Sequence, residues 1–171
     1  MRKTTGFTLV EILIVMLIIS IVGSVAVLTI SRNQNSQYTA FAKQLTNYLA
    51  LAEQQAILQP ATLGIAFTED SFQFYQYQTN SRDKENAWEP LSDPLLGPHR
   101  IPKDIHLTLV IEGKTIPSAT SAEHTKPYLI ISNSGDIPTF VIYIGKQGAH
   151  PRYKIVGEPN GSIKSEPVQE E

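Results

Sequence analysis

Cysteine is absent from the 171 residues, which excludes disulfides, thiol chemistry and cysteine-ligated zinc or iron–sulfur centres. A folded domain without disulfides or metal clips rests on its packed core alone. Neither sign of charge is in excess. Lys and Arg number 14 against 16 Asp and Glu, a formal net charge of −2. That is too balanced for a protein held to nucleic acid mainly by phosphate neutralisation. A disordered acidic chain is excluded as well, because 42% of residues are hydrophobic. Tryptophan occurs once, at Trp88. The histidines His99, His106, His124 and His150 are scattered, and no pair has the i, i+4 spacing of a helical zinc site. Ser134-Gly135-Asp136 has residue types used in serine catalysis but lacks the Gly-x-Ser-x-Gly elbow, and it reads as a hairpin turn. Gly145-Lys-Gln-Gly148 is too short and wrongly framed for a phosphate loop. Asp70, Asp83, Asp93 and Asp104 lack calcium-loop spacing. The pattern supports no enzyme, no metal site and no cofactor.

What the sequence does have is a long apolar run. From Phe7 to Ile30 the only charged residue is Glu11. As a helix this stretch would rise about 36 Å at roughly 1.5 Å per residue, against a hydrocarbon core of about 30 Å. It predicts a membrane-spanning helix over 7–30. A cleaved secretory signal is the rival reading, but it needs an apolar stretch of only about 7–15 residues and a small-residue cleavage site. The run is too long for that, and an Ala-x-Ala-like end is indistinct. Arg2 and Lys3 precede it, which by the positive-inside rule puts the N-terminus in the cytoplasm and the remainder outside.

The junction Gly6-Phe7-Thr8-Leu9-Val10-Glu11 resembles the class III leader junction of type IV pilins and type II secretion pseudopilins. That pattern is a short basic leader ending in Gly, then Phe, Thr, Leu, an aliphatic residue and Glu. The resemblance implies that a prepilin peptidase removes residues 1–6 by cutting between Gly6 and Phe7 and then N-methylates Phe7. An ordinary signal anchor with a chance acid is the alternative. A carboxylic acid near the centre of a membrane helix costs about 2.5–3.5 kcal/mol, and less near an end. After cleavage the new amino group at Phe7 would lie one helical turn from Glu11, beside the free N–H groups of the first turn. Glu11 can then pair with its own amine. By family resemblance it pairs with a neighbouring subunit's amine and fixes the axial stagger, an assembly residue.

Beyond Ser31 the pattern turns amphipathic. Tyr38, Phe41, Leu45, Tyr48, Leu49, Ala52 and Ala56 recur at three- and four-residue spacing, which predicts one packing face on a continued helix over 31–59. Middling helix formers at Arg32 to Ser36 leave a break there open, and Gln59-Pro60 ends the helix. Residues 60–171 read as a β-rich domain. Strand signals occur at Ala61 to Phe67, Ser71 to Tyr77, Ile105 to Glu112, Tyr128 to Ile131, Thr139 to Ile144 and Arg152 to Val156, with a short one at Ser162 to Lys164. Thr68-Glu69-Asp70 is a plausible hairpin turn. Residues 78–104 and 113–126 read as loops, the first laying Trp88 back on the fold.

The segment Ile131-Ser-Asn-Ser-Gly-Asp-Ile-Pro-Thr-Phe140 is similar to the "strand, Ser-Gly-acid, x-Pro-[Ser/Thr]-Phe, strand" segment of GspH-type minor pseudopilins and FimT-type minor pilins. Gly161-Ser-Ile-Lys164 resembles the short closing strand of those domains. The resemblance implies an α+β, pilin-like fold, with a long N-terminal helix packed on antiparallel β-sheets. It also implies a single-pass inner-membrane protein with a periplasmic domain. The implied partners are prepilin peptidase, the other major and minor pseudopilins, membrane lipid, and secreted cargo or secretin. The competing pilus reading includes DNA uptake, which favours clustered Arg or Lys at an exposed C-terminus. Here Glu158 to Glu171 holds four acids and one lysine, and loss of Arg2 and Lys3 takes the formal charge from −2 to −4. Electrostatics disfavour nucleic acid.

Overall fold

The computed structural model describes residues 9–79, 86–119 and 126–169, with the backbone but not the side chains at 23–35, 79, 86 and 87. Helix α1 spans Leu9–Leu58. Gly23 is its only glycine and it contains no proline, so no residue inside it breaks the i→i−4 ladder. It runs through Arg32 to Ser36 without interruption. It stops at Pro60, where the Gln59 amide still donates to the Gln55 carbonyl and the Ala61 amide donates back to Ala56. The chain forms two compact units, residues 1–37 and 38–171. In the first, every described side chain from Leu9 to Val22 is exposed. Among the described residues no helix is long and apolar enough to cross a membrane. The side chains described there end at Val22, short of the roughly 20 residues a span requires.

The second unit contains the rest of α1 and two antiparallel sheets. The first sheet has the order β3-β2-β1-β7, from strands Asn86–Pro90, Ser71–Thr79, Leu63–Phe67 and Leu129–Ile131. Strand β4, His99–Arg100, also pairs with β2, opposite Phe72 and Ser71. The second sheet has the order β10-β9-β8-β5-β6. Its strands are Ile163–Pro167, Tyr153–Gly157, Phe140–Gly145, His106–Ile111 and Lys114–Ile116.

One core joins the helix to both sheets. Leu45, Leu49, Ala52 and Ala56 on α1 are fully buried, and Tyr38, Phe41 and Ala42 are buried beside them. Leu63, Ile65, Phe72 and Phe74 enter the same cluster from the first sheet, and Leu107, Leu109, Phe140, Ile142 and Ile144 from the second. Each fully buried leucine or isoleucine contributes about 1.5–3 kcal/mol relative to exposure. Strand β1 is buried along its whole length, which explains why its sequence is continuously apolar instead of alternating.

The expectation of a loop throughout 78–104 is corrected in two places. Strand β3 pairs Asn86 to Pro90 with Thr79 to Tyr75, and β4 adds a second short pairing farther along β2. These strands are short and carry proline, asparagine and charge, so their own propensity is low; the long partner β2 supplies the order. Residues 80–85 lie outside the described residues. Trp88 packs on Tyr77 with ring centroids 5.2 Å apart, and with Pro127 it fills the space above Gly64 of β1. Likewise 113–126 contains β6, and Ala119 makes a parallel bridge to Thr68; residues 120–125 lie outside the described residues.

Candidate functional site

Two regions bear the residues singled out by sequence. In the first, Gly6 and Phe7 lie outside the described residues. Glu11 stands in the first turn of α1. Around it Leu9, Val10, Ile12, Leu13, Ile14 and their successors to Val22 present large apolar side chains at 43–81% exposure. They surround the helix, so no single core-facing stripe exists in this segment. An apolar surface of that extent is what lipid or neighbouring apolar helices cover.

In the second unit the helical residues at three- and four-residue spacing separate by depth. Leu45, Leu49 and Ala52 have no exposure, Tyr38 and Phe41 have under a tenth, and Tyr48 is half-buried. Tyr48 carries a further contact that spacing alone does not reveal. Its ring stacks on His99 with centroids 4.1 Å apart, and His99 stacks in turn on Phe72 at 5.0 Å. One ring nitrogen of His99 is 2.9 Å from the Leu95 carbonyl oxygen. His99 therefore ties β4 and its preceding turn to α1 through ring stacking. Among the described residues no group of three or more His, Asp or Glu side chains is arranged to hold a metal ion.

The C-terminal motifs meet the end of α1. In the turn before β8 the Gly135 amide donates to the Ser132 carbonyl, the Ser132 amide to the Asp136 carbonyl, and the Ser134 hydroxyl to the Asp136 carboxylate. Within this closed turn the Ser134 hydroxyl also lies 2.9 Å from the Ser132 hydroxyl, so the polar side chains knit the turn together. Gly135 and Gly161 both have left-handed backbones, with φ of 86° and 82°. A methyl group on Gly135 would lie 2.8 Å from Ile57 Cδ1, and one on Gly161 would strike the Glu53 carboxylate. Two turns, one from each motif, thus approach successive turns of the helix where only glycine fits. Burial raises the Glu53 pKa above the usual carboxylate value. The sequence marked these turns by their glycines; it gave no sign that Glu53, separated from Gly161 by more than a hundred positions, sits against one of them.

Comparison with known proteins agrees with this geometry. Residues 1–27 match the prokaryotic N-terminal methylation motif. The chain is 28% identical over 160 residues to the type II secretion system protein H of Pseudomonas aeruginosa, covering 89% of each chain. It is 24% identical to the protein of the same name in Aeromonas hydrophila, covering 89% of this chain and 86% of that one. Among solved structures, the minor pseudopilin EpsH from the type II secretion system of Vibrio cholerae matches with a TM-score of 0.64 at 17% identity, over 78% of this chain and 99% of that one. The solution structure of E. coli GspH matches with a TM-score of 0.56 at 17% identity, over 78% and 89% of the two chains. The structural likeness concerns the fold; the motif and the relatives add a likeness in sequence. Together they make the chain similar to the GspH-like minor pseudopilins.

Proposed function

We propose that this chain is a minor pseudopilin of a type II secretion system, a structural subunit of the periplasmic pseudopilus that helps export folded proteins across the outer membrane. One joint observation carries the reading. A methylation motif occupies residues 1–27 of a chain whose relatives, over 89% of its length, are secretion protein H. The role of such a subunit is mechanical: it joins a filament and presents a surface, with no bond made or broken on a substrate.

The finer parts of the reading follow from the residues. Prepilin peptidase cuts after Gly6 on the cytoplasmic side and methylates Phe7. Residues 7–30 anchor the protein in the inner membrane with the domain in the periplasm, which supplies the covering that the exposed side chains from Leu9 to Val22 need. Glu11 sets the stagger against the amine of an adjacent subunit. Tyr38, Phe41, Leu45, Tyr48, Leu49 and Ala52 hold the domain to its own helix, leaving its sheets to meet other pseudopilins, the secretin or cargo. A FimT-like role in a pilus or in DNA uptake is less well supported, since the C-terminal segment from Glu158 is acidic.

The experiment is deletion of the gene in its host, followed by assay of secreted enzymes in the medium and of pilus-dependent motility and DNA uptake. Loss of secretion with motility and uptake intact, restored by the plasmid-borne gene, is the expected outcome. Intact secretion with lost uptake assigns the chain to the pilus system instead.

A further inference from the structure

The turn between β9 and β10 contains Asn160-Gly161, the only asparagine–glycine pair in the chain. Both residues have a local reason to be there. The Gly161 amide donates to the Glu158 carbonyl at 3.0 Å and closes a four-residue turn. Pro159 stands second in it and Gly161 fourth, the order favoured in a type I turn. Asn160 fastens the turn from the side. Its Oδ1 accepts the Ser162 amide at 2.9 Å, and its Nδ2 donates to the Glu158 carboxylate at 3.3 Å. Only a carboxamide can do both. Gly161 has φ 82°, and a Cβ there would strike the Glu53 carboxylate on α1. The fold thus requires this pair, and it leaves Asn160 exposed to water.

The same pair carries a reaction. The Cγ of an asparagine is open to attack by the amide nitrogen of the next residue, and glycine offers no Cβ to obstruct the approach. Here the Gly161 nitrogen loses its proton to hydroxide and bonds to Asn160 Cγ. The bond from Cγ to Nδ2 breaks, and that nitrogen leaves as ammonia after taking a proton from water. The five-membered imide that remains takes up one water at either carbonyl and opens to aspartate or isoaspartate. One water is consumed and one ammonia released, with no change of oxidation state. In the docked turn the reacting groups are engaged elsewhere. The Gly161 N–H is held by the Glu158 carbonyl, both ends of the Asn160 carboxamide are bonded, and Glu53 fills the space beside Gly161.

We propose that Asn160 is a site of spontaneous deamidation, held inert while its turn is docked on α1 and active once the turn comes free. The change runs one way. An ionised acid at 160 cannot donate to Glu158, and two carboxylates then face each other where an amide met a carboxylate. Isoaspartate also adds one methylene to the main chain, which alters the turn length that fixes the register of β10. Strand β10 is an edge strand paired with β9, so a converted turn loosens it. Asn47 and Asn133 are followed by Tyr48 and Ser134, whose Cβ atoms obstruct the same attack. The inference is read from the domain alone and stands apart from the secretion assignment.

The test incubates the full chain in detergent micelles, in mildly alkaline buffer made with heavy-oxygen water, with and without urea. Trypsin then releases Ile155 to Lys164, a peptide in which Asn160 is the only asparagine, and mass spectrometry follows its conversion. In urea Asn160 should convert faster than any other asparagine, with one heavy oxygen entering for each ammonia lost. Without urea the conversion should be at least about tenfold slower, because it waits on local opening. Glu53→Trp, which forces the turn off the helix, should bring the rate without urea toward the rate in urea. The comparison of the unsubstituted protein in the two buffers stands whether or not that variant folds. Asn160→Asp makes one product directly, and its amides over 163–167 should exchange at least about threefold faster while those of β8 stay slow. Equal rates with and without urea, faster conversion at another asparagine in urea, or unchanged exchange over 163–167 in Asn160→Asp overturns the proposal.

Discussion

Two carboxylates, Glu53 in the domain and Glu11 in the proposed membrane helix, carry different consequences. If Glu11 served the anchor alone, Glu11→Leu would be neutral or favourable, because it removes a desolvation penalty. An assembly role predicts that Glu11→Leu is inserted and loses its leader normally yet fails to join neighbouring subunits. An amine left without a partner in lipid costs enough that crosslinking to other pseudopilins should fall at least about tenfold, the effect of roughly 1.4 kcal/mol. Crosslinking and secretion at wild-type level would refute that role. Glu53 belongs to the folded domain. Its pKa is raised by burial, so the folded state holds its proton more tightly than the unfolded chain does. Its favourable contribution is complete below the ordinary carboxylate value and is lost as pH rises through the raised one. Glu53→Gln, uncharged at every pH, should therefore raise the melting temperature at neutral pH, and the gain should vanish in acid. Thermal unfolding of the two proteins across that range checks the sign; a gain that grows in acid would contradict it.

At the scale of elements, what can be read from sequence depends on whether an element carries its own reason to form. Strands β1, β5, β8 and β9 are apolar runs bounded by glycine, proline or turn residues, and their burial supplies the order. The turn at Thr68 to Asp70 is equally local: the Thr68 hydroxyl bonds to Asp70 and Ser71 and closes the β1–β2 hairpin. Strands β3, β4 and β6 are different. They have five, two and three residues, and each is held by a partner strand whose position only the fold determines. The site divides the same way. The junction at Gly6 and Phe7 is a contiguous pattern, visible at once. The approach of Gly161 to Glu53 needs the whole domain. One consequence concerns α1. Its buried residues from Tyr38 to Ala56 belong to the second unit, so a truncated protein beginning at Asn33 should be soluble and folded. Hydrogen exchange should show slow amides over 38–56, and Leu49→Ala should cost about 2–5 kcal/mol there, given its full burial. Fast exchange throughout that stretch would mean the helix does not pack on the sheets.

For the whole molecule, the sharpest division is between a start whose described side chains are mostly apolar and exposed and a domain with its own buried core. Arg2 and Lys3 are the only charged side chains before Glu11, and in the proposed topology they would serve to orient the chain, since positive residues favour the cytoplasmic side. On the proposed processing, removal of residues 1–6 would leave Phe7 as the terminus and create the amine proposed to meet Glu11, without reversing an insertion held by the apolar run. Cleavage and assembly would thereby be coupled, because a chain that keeps its leader has no amine at Phe7. The prediction is that mature protein extracted from the membrane begins at N-methylated Phe7, and that Gly6→Leu, too bulky for a peptidase that accepts glycine, leaves the precursor intact. That precursor should insert with its domain outside, because Arg2, Lys3 and the apolar run are unchanged, yet remain absent from the assembled filament. Intact-mass measurement of both proteins, with protease access to the domain in spheroplasts, separates insertion from processing. A wild-type mass that still contains residues 1–6 removes the basis for the assembly role of Glu11, because the amine it is proposed to meet would not exist.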